Sequence, residues 1–264
     1  MSAATREPGR GALPDLVIIG AMKCGTTALH DLLARHPQIA MSRPKELNFF
    51  FGPPGGAIGV AAAGEADATA GWSAGNWSRG LDWYTGHFDA DAALRGESSP
   101  GYTSPDHPGV AQRMAATVPG ARLVYLVRDP IARALSQYDH HRADGAERRE
   151  LAEALTDPAS QYLSRGRYHE RLVPFLSHVD PGQIMVVAQE DLRHDQAATR
   201  RRIFGFLGAD PSLWRGTGAP PPGSAGDRVA ALDPRLRACL ADALHDDAER
   251  LRAFTGQPLA AWSV

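Results

Sequence analysis

The chain has 264 residues, of which 43% are hydrophobic and 22% are charged, and its formal net charge is −2. This balance is ordinary for a globular protein and offers none of the basic excess with which proteins bind nucleic acid or an anionic membrane. Its two cysteines, Cys24 and Cys239, are too few for a disulfide framework, so we expect a reducing compartment, the cytoplasm.

The chain begins with a polar stretch, residues 1–12, which we expect to be a flexible tail. A single domain is expected over residues 13–264. The stretch lacks the apolar centre of a secretory signal, and no later segment reaches the ~18 apolar residues of a membrane span. An apolar run predicts a strand at Leu16–Gly20. A helix is predicted from about Thr26 to Arg35, and it ends before Pro37 because the residue preceding a proline avoids the helical region.

Strands and helices alternate along the rest of the chain. Further strands are predicted at Ile39–Met41, Ala93–Ser98, Arg122–Arg128 and Ile184–Ala188. Helices are predicted from Leu81, over about Pro108–Val118, after Asp129-Pro130, and over about Gln161–His178, Ala197–Leu207 and Pro234–Thr255. Such alternation predicts an α/β domain whose parallel sheet is covered on both faces.

Two segments are predicted to be loops because they are rich in small residues or proline and show little periodicity. Residues 52–80 are rich in Gly, Ala and Ser and are interpreted as an inserted loop or lid. A surface insertion without a role is the open alternative. Residues 215–228 form a Pro/Gly-rich loop near the C-terminal helix.

The turn after the first strand has the character of an anion-binding loop. Its sequence is Gly20-Ala21-Met22-Lys23-Cys24-Gly25-Thr26-Thr27, and a glycine-rich turn that opens a helix directs backbone N–H groups and the helix dipole at an anion. The spacing is similar to G-x-x-x-x-G-K-[ST], but Thr26 occupies the lysine position of that motif and the lysine is at position 23. Such a loop suits a single 5′-phosphate carrying a group that is transferred without metal, as in sulfuryl transfer. Lys23 would then stabilise charge on the leaving oxygen; a tight turn without a ligand is the alternative.

A second anion site is predicted around Arg128 and Ser136. Arg128 ends a buried strand, where ligands bind in open α/β sheets, and Ser136 lies two turns into the helix that follows. Two separate phosphate sites fit a nucleotide phosphorylated at both its 5′ and 3′ positions. Alternatively, Asp129-Pro130 serves only to begin a helix.

Together these motifs resemble those of the sulfotransferases that use 3′-phosphoadenylyl sulfate (PAPS), closest to the heparan sulfate N- and 3-O-sulfotransferase branch. The resemblance implies an α/β fold, the P-loop nucleotide-kinase-like three-layer sandwich with a central parallel sheet. It also implies PAPS as donor, the bisphosphate PAP as product, and no metal. In this family match the donor ligands are Lys23, Cys24, Gly25, Thr26 and Thr27 at the 5′ end and Arg128 and Ser136 at the 3′ end.

The resemblance also implies roles at the reaction centre. Lys45-Glu46-Leu47-Asn48-Phe49-Phe50 is similar to the family segment whose glutamate is the catalytic base, so Glu46 is the expected base and Lys23 its catalytic partner. Ser98 and Asn48 are expected on the acceptor side, and Glu97, the rival carboxylate, is expected either to position the substrate or to orient Lys23. Ser98 replaces a lysine common in the glycan-modifying relatives, and Asn48 a histidine found in some, which leaves a less charged acceptor site.

The remaining nucleotide contacts rest on looser similarity. Tyr168 is expected to stack on the adenine, with a core tyrosine as the equally open alternative. Arg228 is the candidate 3′-phosphate ligand in a loop that lacks the family's usual Lys-Gly-Arg. The acceptor is expected to be a small molecule, a lipid-like metabolite or an oligosaccharide. A Mg²⁺-dependent P-loop kinase and a non-catalytic nucleotide-binding protein are the alternative functions.

Overall fold

The central sheet is the element that positions the site. The structure is a computed structural model, and it describes residues 12–52, 75–216 and 225–264. Within these ranges the strands are β1 (Leu16–Gly20), β2 (Ile39–Met41), β3 (Leu94–Ser98), β4 (Arg122–Val127) and β5 (Ile184–Ala188). They form one parallel sheet in the order β2-β3-β1-β4-β5. Because β3 and β4 lie on opposite sides of β1, the strand order reverses there, and such a switch point opens a crevice at the carboxyl ends of the strands.

The strands are apolar because helices cover both faces of the sheet. All of β1 is buried, as is β4 after Arg122. The helices are α1 (Thr26–Leu33), α2 (Gly80–Thr85), α3 (Val110–Thr117), α4 (Pro130–Ala143), α5 (Leu151–Thr156), α6 (Gln161–Ser164), α7 (Tyr168–Leu176), α8 (Gln189–His194), α9 (Gln196–Leu207), α10 (Ala225–Ala230) and α11 (Pro234–Thr255). This is the predicted α/β sandwich with a central parallel sheet. In the described part of the chain, none of these helices is both long and apolar enough to cross a bilayer.

Two element predictions need correction, and two helices were missed. The single helix expected over Gln161–His178 is divided into α6 and α7, because Asp247 of α11 caps a new helix by accepting hydrogen bonds from the N–H groups of His169 (2.9 Å) and Glu170 (2.8 Å). The loop predicted over 215–228 is wrong at its end, where α10 begins at Ala225. Helices α5 and α8 were not predicted.

The predicted tail and the insertion lie mostly outside the described residues, which exclude 1–11, 53–74 and 217–224. The described end of the 52–80 segment is a 3₁₀ turn, Trp77–Arg79. The single domain over 13–264 stays a proposal.

Candidate active site

The turn after β1 presents backbone N–H groups at the start of α1. Gly25 is the N-cap of α1, with φ 93° and ψ 22°, and among the described residues no side-chain hydrogen bond caps it. The left-handed backbone at Gly25 favours glycine, and a Cβ atom there would lie 2.7 Å from Nε2 of Gln189, whose side chain would have to move aside. The first turn of a helix has no intrahelical partners for its N–H groups, and an anion satisfies them.

Two cationic side chains meet at this loop. Arg128 follows the last residue of β4, is 7% exposed, and donates from Nη1 to the Lys23 carbonyl at 3.0 Å. Burial lowers the pKa of Lys23, and the Arg128 charge lowers that pKa further, while Asp144 opposes the shift. Such mutual repulsion between cations is relieved when an anion binds between them. Arg128 of the predicted second site thus contacts the backbone of the first, so the two predicted anion sites are neighbours.

Ser136 and Arg228 gather on the same side of α4. Ser136 is half-buried on this helix. Arg228 of α10 forms an ion pair with Asp139, which lies within one turn of Ser136 along α4. The contact brings a guanidinium from a distant part of the sequence to the helix that carries Ser136.

Glu46 lies at the carboxyl end of β3, a strand that is paired with β1. Its N–H donates to the Ser98 carbonyl at 2.9 Å, and its backbone has a positive φ of 66°. The carboxylate, 29% exposed, pairs with Nζ of Lys45 at 2.5 Å. A non-glycine residue in this strained conformation is held there by its surroundings, which is common at active sites.

Glu97 is the centre of a buried hydrogen-bond network. It is fully buried, and its carboxylate accepts hydrogen bonds from the hydroxyls of Tyr84, Tyr102 and Ser99, the last at 2.7 Å. Burial raises the pKa of Glu97, although the three hydroxyl donors act in the opposite direction. With both oxygens engaged by protein hydroxyls, Glu97 is placed to hold the protein together here; contact with an acceptor stays a prediction.

The same network holds the segment that follows Glu46. The N–H of Asn48 donates to Oγ of Ser99 (3.0 Å), and the N–H of Phe49 donates to the hydroxyl of Tyr102 (2.9 Å). Asn48 and Ser98 are buried, and in the described ranges their Oδ1 and Oγ atoms have no hydrogen-bond partner. Buried polar atoms are nearly always paired, so in the part of the chain that the structure describes these two atoms lack the partner that such atoms normally have, and both are shielded from solvent.

The expected adenine contact of Tyr168 does not agree with the structure, which supports the alternative. Tyr168 is 1% exposed and its ring lies against Tyr125 (centroids 6.0 Å apart) and Trp262 (5.6 Å). Its hydroxyl lies 3.4 Å from Sγ of Cys24. A ring this deeply buried has no free face for a base. Tyr168 is a core residue that supports the loop from below.

A cavity of about 450 Å³ opens beside the loop, between α1 and α8. It is lined by Cys24, Gly25, Thr27, Ala28, Leu29, Asp31, Leu32, Arg35, Leu126, Gln189, Leu192, Arg193 and Trp214. Sequence reasoning missed Gln189, Arg193 and Trp214. Gln189 directly follows β5, and its place at the carboxyl end of a buried strand was a usable signal.

Comparison with known proteins decides the family. The family model described as "Sulfotransferase family" matches residues 14–212. The chain belongs to the sulfotransferase family. The family resemblance stated from the motifs is thereby confirmed.

Three relatives of this sulfotransferase illustrate the range. It is 30% identical over 231 residues to bifunctional heparan sulfate N-deacetylase/N-sulfotransferase 2 of Bos taurus, an alignment that covers 79% of the chain but 23% of that protein. The crystal structure of a sulfotransferase from Alicyclobacillus acidocaldarius is 27% identical, with a TM-score of 0.76, and the match covers 96% of this chain and 100% of that one. Mouse SULT7A1, solved in complex with PAP, is 13% identical with a TM-score of 0.55, covering 92% and 87%, and shares the fold. The chain thus spans about a quarter of the length of its curated relative.

Proposed function

We propose that this sulfotransferase moves the sulfuryl group of PAPS to a hydroxyl or amine of an acceptor by in-line displacement. The observation that carries the proposal is the uncapped N-terminus of α1 beside two cations, Lys23 and Arg128, that repel one another. Among the described residues, this helix N-terminus and its two cations together can bind more than one anionic group. The complex of mouse SULT7A1 with PAP supports the same nucleotide.

The 5′-phosphosulfate end would lie on the loop after β1. Backbone N–H groups from Gly25 to Thr27 and the hydroxyls of Thr26 and Thr27 supply donors, and Lys23 supplies the positive charge. The N–H of Cys24 already donates to the Ala21 carbonyl at 3.1 Å, so Cys24 shapes the loop. A loop with threonine in place of the usual lysine at position 26 disfavours the Mg²⁺-dependent kinase. That the reaction needs no metal stays part of the proposal.

The 3′-phosphate would lie between Arg128 and Ser136, with Arg228 at its outer side. Arg128 is anchored through one nitrogen to the Lys23 carbonyl, and a guanidinium has further N–H donors in a planar fork that matches phosphate. The ion pair of Arg228 with Asp139 keeps its charge next to the helix that carries Ser136.

The adenosine is assigned to the cavity lined by Gln189 and Trp214 in place of Tyr168. The cavity begins at Gly25 and Thr27, which belong to the 5′ loop, so a nucleoside joined to that phosphate has room beside it. Trp214 is half-buried, with the Arg200 guanidinium 5.1 Å and the Phe204 ring 5.6 Å from its ring centroid. The base would pack against the part of the indole that lines the cavity.

At the reaction centre, PAPS supplies the sulfuryl group and a bisphosphate leaving group. The Glu46 carboxylate accepts the proton that the acceptor oxygen or nitrogen loses as it forms its bond to sulfur. The Lys23 ammonium stabilises the negative charge that develops on the 5′-phosphate oxygen as the bond between that oxygen and sulfur breaks. Asn48 and Ser98 stay the proposed acceptor-side residues, and Glu97 holds their segment in place.

We propose an uncharged or weakly charged acceptor: a small molecule, a lipid-like metabolite or an oligosaccharide. That the Bos taurus relative is a heparan sulfate N-deacetylase/N-sulfotransferase supports a carbohydrate acceptor, although heparan sulfate itself is polyanionic. The cation at Lys45 is already paired with Glu46, which leaves it less available to a polyanionic chain.

The decisive experiment is transfer of radiolabelled sulfate from PAPS to a panel of cell metabolites and oligosaccharides. Glu46→Gln should lower turnover by about 10²–10⁴-fold, the usual contribution of a general base, while PAP binding changes little. Glu153→Gln, an exposed change on α5, is the matched control and should retain activity. Transfer by Glu46→Gln within threefold of the wild type would show that another group accepts the proton.

A further inference from the structure

The C-terminal segment, residues 257–264, lies against the turn that carries Arg128. The backbone N–H of Ser263 donates to Oδ2 of Asp129 at 2.5 Å. The indole N–H of Trp262 donates to Oε2 of Glu190 at 3.4 Å. The segment therefore contacts Asp129, which follows Arg128 in the chain, and Glu190, which accepts a hydrogen bond from the Asp129 N–H.

Asp129 connects these contacts to the proposed 3′-phosphate site. Its Oδ1 caps α4 by accepting from the N–H of Ala132 at 2.8 Å, and its own N–H donates to Oε1 of Glu190 at 2.9 Å. Asp129 is thus hydrogen-bonded to α4, to α8 and to the C-terminal segment. Because Arg128 is its neighbour in the chain, the direction of the Arg128 side chain toward Lys23 depends on this turn.

The segment is itself held firmly. Arg252 of α11 donates to the carbonyls of Pro258 (3.0 Å) and Val264 (2.8 Å), and its guanidinium lies 6.0 Å from the centroid of the Trp262 ring. Trp262 is 8% exposed. An anchored segment transmits a geometric constraint, whereas a loose one would not.

We propose that Trp262 and Ser263 are positioning residues that fix Arg128 for the 3′-phosphate of the donor. The inference rests on the proposed function. The C-terminal segment would then contribute to the preference for a 3′-phosphorylated nucleotide over one that lacks this phosphate. It would do so because the hydrogen bond from Ser263 to Asp129 fixes the turn that directs the Arg128 side chain.

The test compares two nucleotides that differ at the 3′ position, PAP and 5′-AMP, by calorimetry. Ser263→Pro removes the backbone N–H and should weaken PAP binding by about tenfold, the effect of losing one charge-assisted hydrogen bond between a misdirected Arg128 and the 3′-phosphate, with 5′-AMP affinity within twofold. Ser263→Ala keeps the N–H and should preserve the ratio of the two affinities. Equal losses for both nucleotides, or the same loss in Ser263→Ala, would overturn the proposal.

A second variant decides the question if Ser263→Pro fails to fold. Trp262→Phe keeps an aromatic ring but lacks the N–H that reaches Glu190, and its thermal midpoint can be compared with the wild type. We expect a smaller loss in the same direction, confined to PAP; an unchanged PAP to 5′-AMP ratio in a folded Trp262→Phe would contradict the proposal. Failure of the wild type to bind PAP would instead refute the proposed function.

Discussion

The buried carboxylate of Glu97 should stabilise both the fold and the segment that carries the proposed base. Its replacement by alanine leaves three hydroxyl donors, those of Tyr84, Ser99 and Tyr102, without an acceptor. All three residues are buried to within 1% of their surface. Water therefore cannot replace the lost acceptor without a change in packing.

The loss of folding free energy in Glu97→Ala follows from the number of buried donors left without an acceptor. A buried donor that loses its partner costs about 1–3 kcal/mol, which gives about 3–9 kcal/mol for three. Burial raises the pKa of Glu97, so removing a poorly solvated carboxylate offsets part of this cost, and we expect a loss of about 3–5 kcal/mol. Glu97→Gln keeps one acceptor oxygen and should cost about 1 kcal/mol, since a tyrosine hydroxyl can accept from the new amide.

Urea denaturation followed by tryptophan fluorescence measures these differences. The pH dependence has a definite sign: a carboxyl whose pKa is raised in the folded state contributes stability below its unfolded pKa of about 4.3 and loses it as the pH rises through the folded value. The wild type should therefore gain stability relative to Glu97→Gln as the pH is lowered from 7 toward 4.3. A loss below 1 kcal/mol in Glu97→Ala, or a shift of the opposite sign with pH, would refute the reasoning.

The other predictions concern the nucleotide site. The pKa of Lys23 is lowered in the free protein, so binding of PAP should raise that pKa and take up protons. PAP affinity should therefore fall as the pH rises through the lowered pKa of Lys23. Binding enthalpies that do not vary with the ionisation enthalpy of the buffer would contradict this prediction. Trp214→Ala should weaken PAP binding by about tenfold, while Trp214→Phe, which keeps an aromatic face, should bind within about threefold of wild type; equal affinities in the two variants would exclude stacking. Burial raises the pKa of Cys24 to about 11, so only the exposed Cys239 should react with a thiol reagent in the native protein, whereas labelling of Cys24 before unfolding would show that the loop opens.

Local pattern predicted most of the fold. The apolar runs of β1 and β4 could only be buried strands, and the alternation with helices indicated the parallel sheet. The long helix α11 has the predicted bounds, Pro234–Thr255, because Asp233 and Pro234 begin it and Gly256, in the left-handed conformation, ends it. These signals lie within a few residues of the structure that they specify.

Contacts between distant residues decided the rest. The division at residues 165–167 depends on Asp247, which lies on another helix. The burial of Tyr168 depends on Trp262 and Tyr125, and no local pattern distinguishes a core tyrosine from one that stacks on a base.

The sequence by itself determined the family, the loop around Lys23 and the place of Arg128 at the end of a buried strand, because these depend on residue type and spacing along one short stretch. Only the tertiary structure showed that Arg128 contacts the loop, that Glu97 organises a hydroxyl network, and that Gln189 and Trp214 line the neighbouring cavity. The physical reason is that hydrogen bonds and cavities form between side chains brought together by packing, and packing joins residues whose separation in sequence carries no signal.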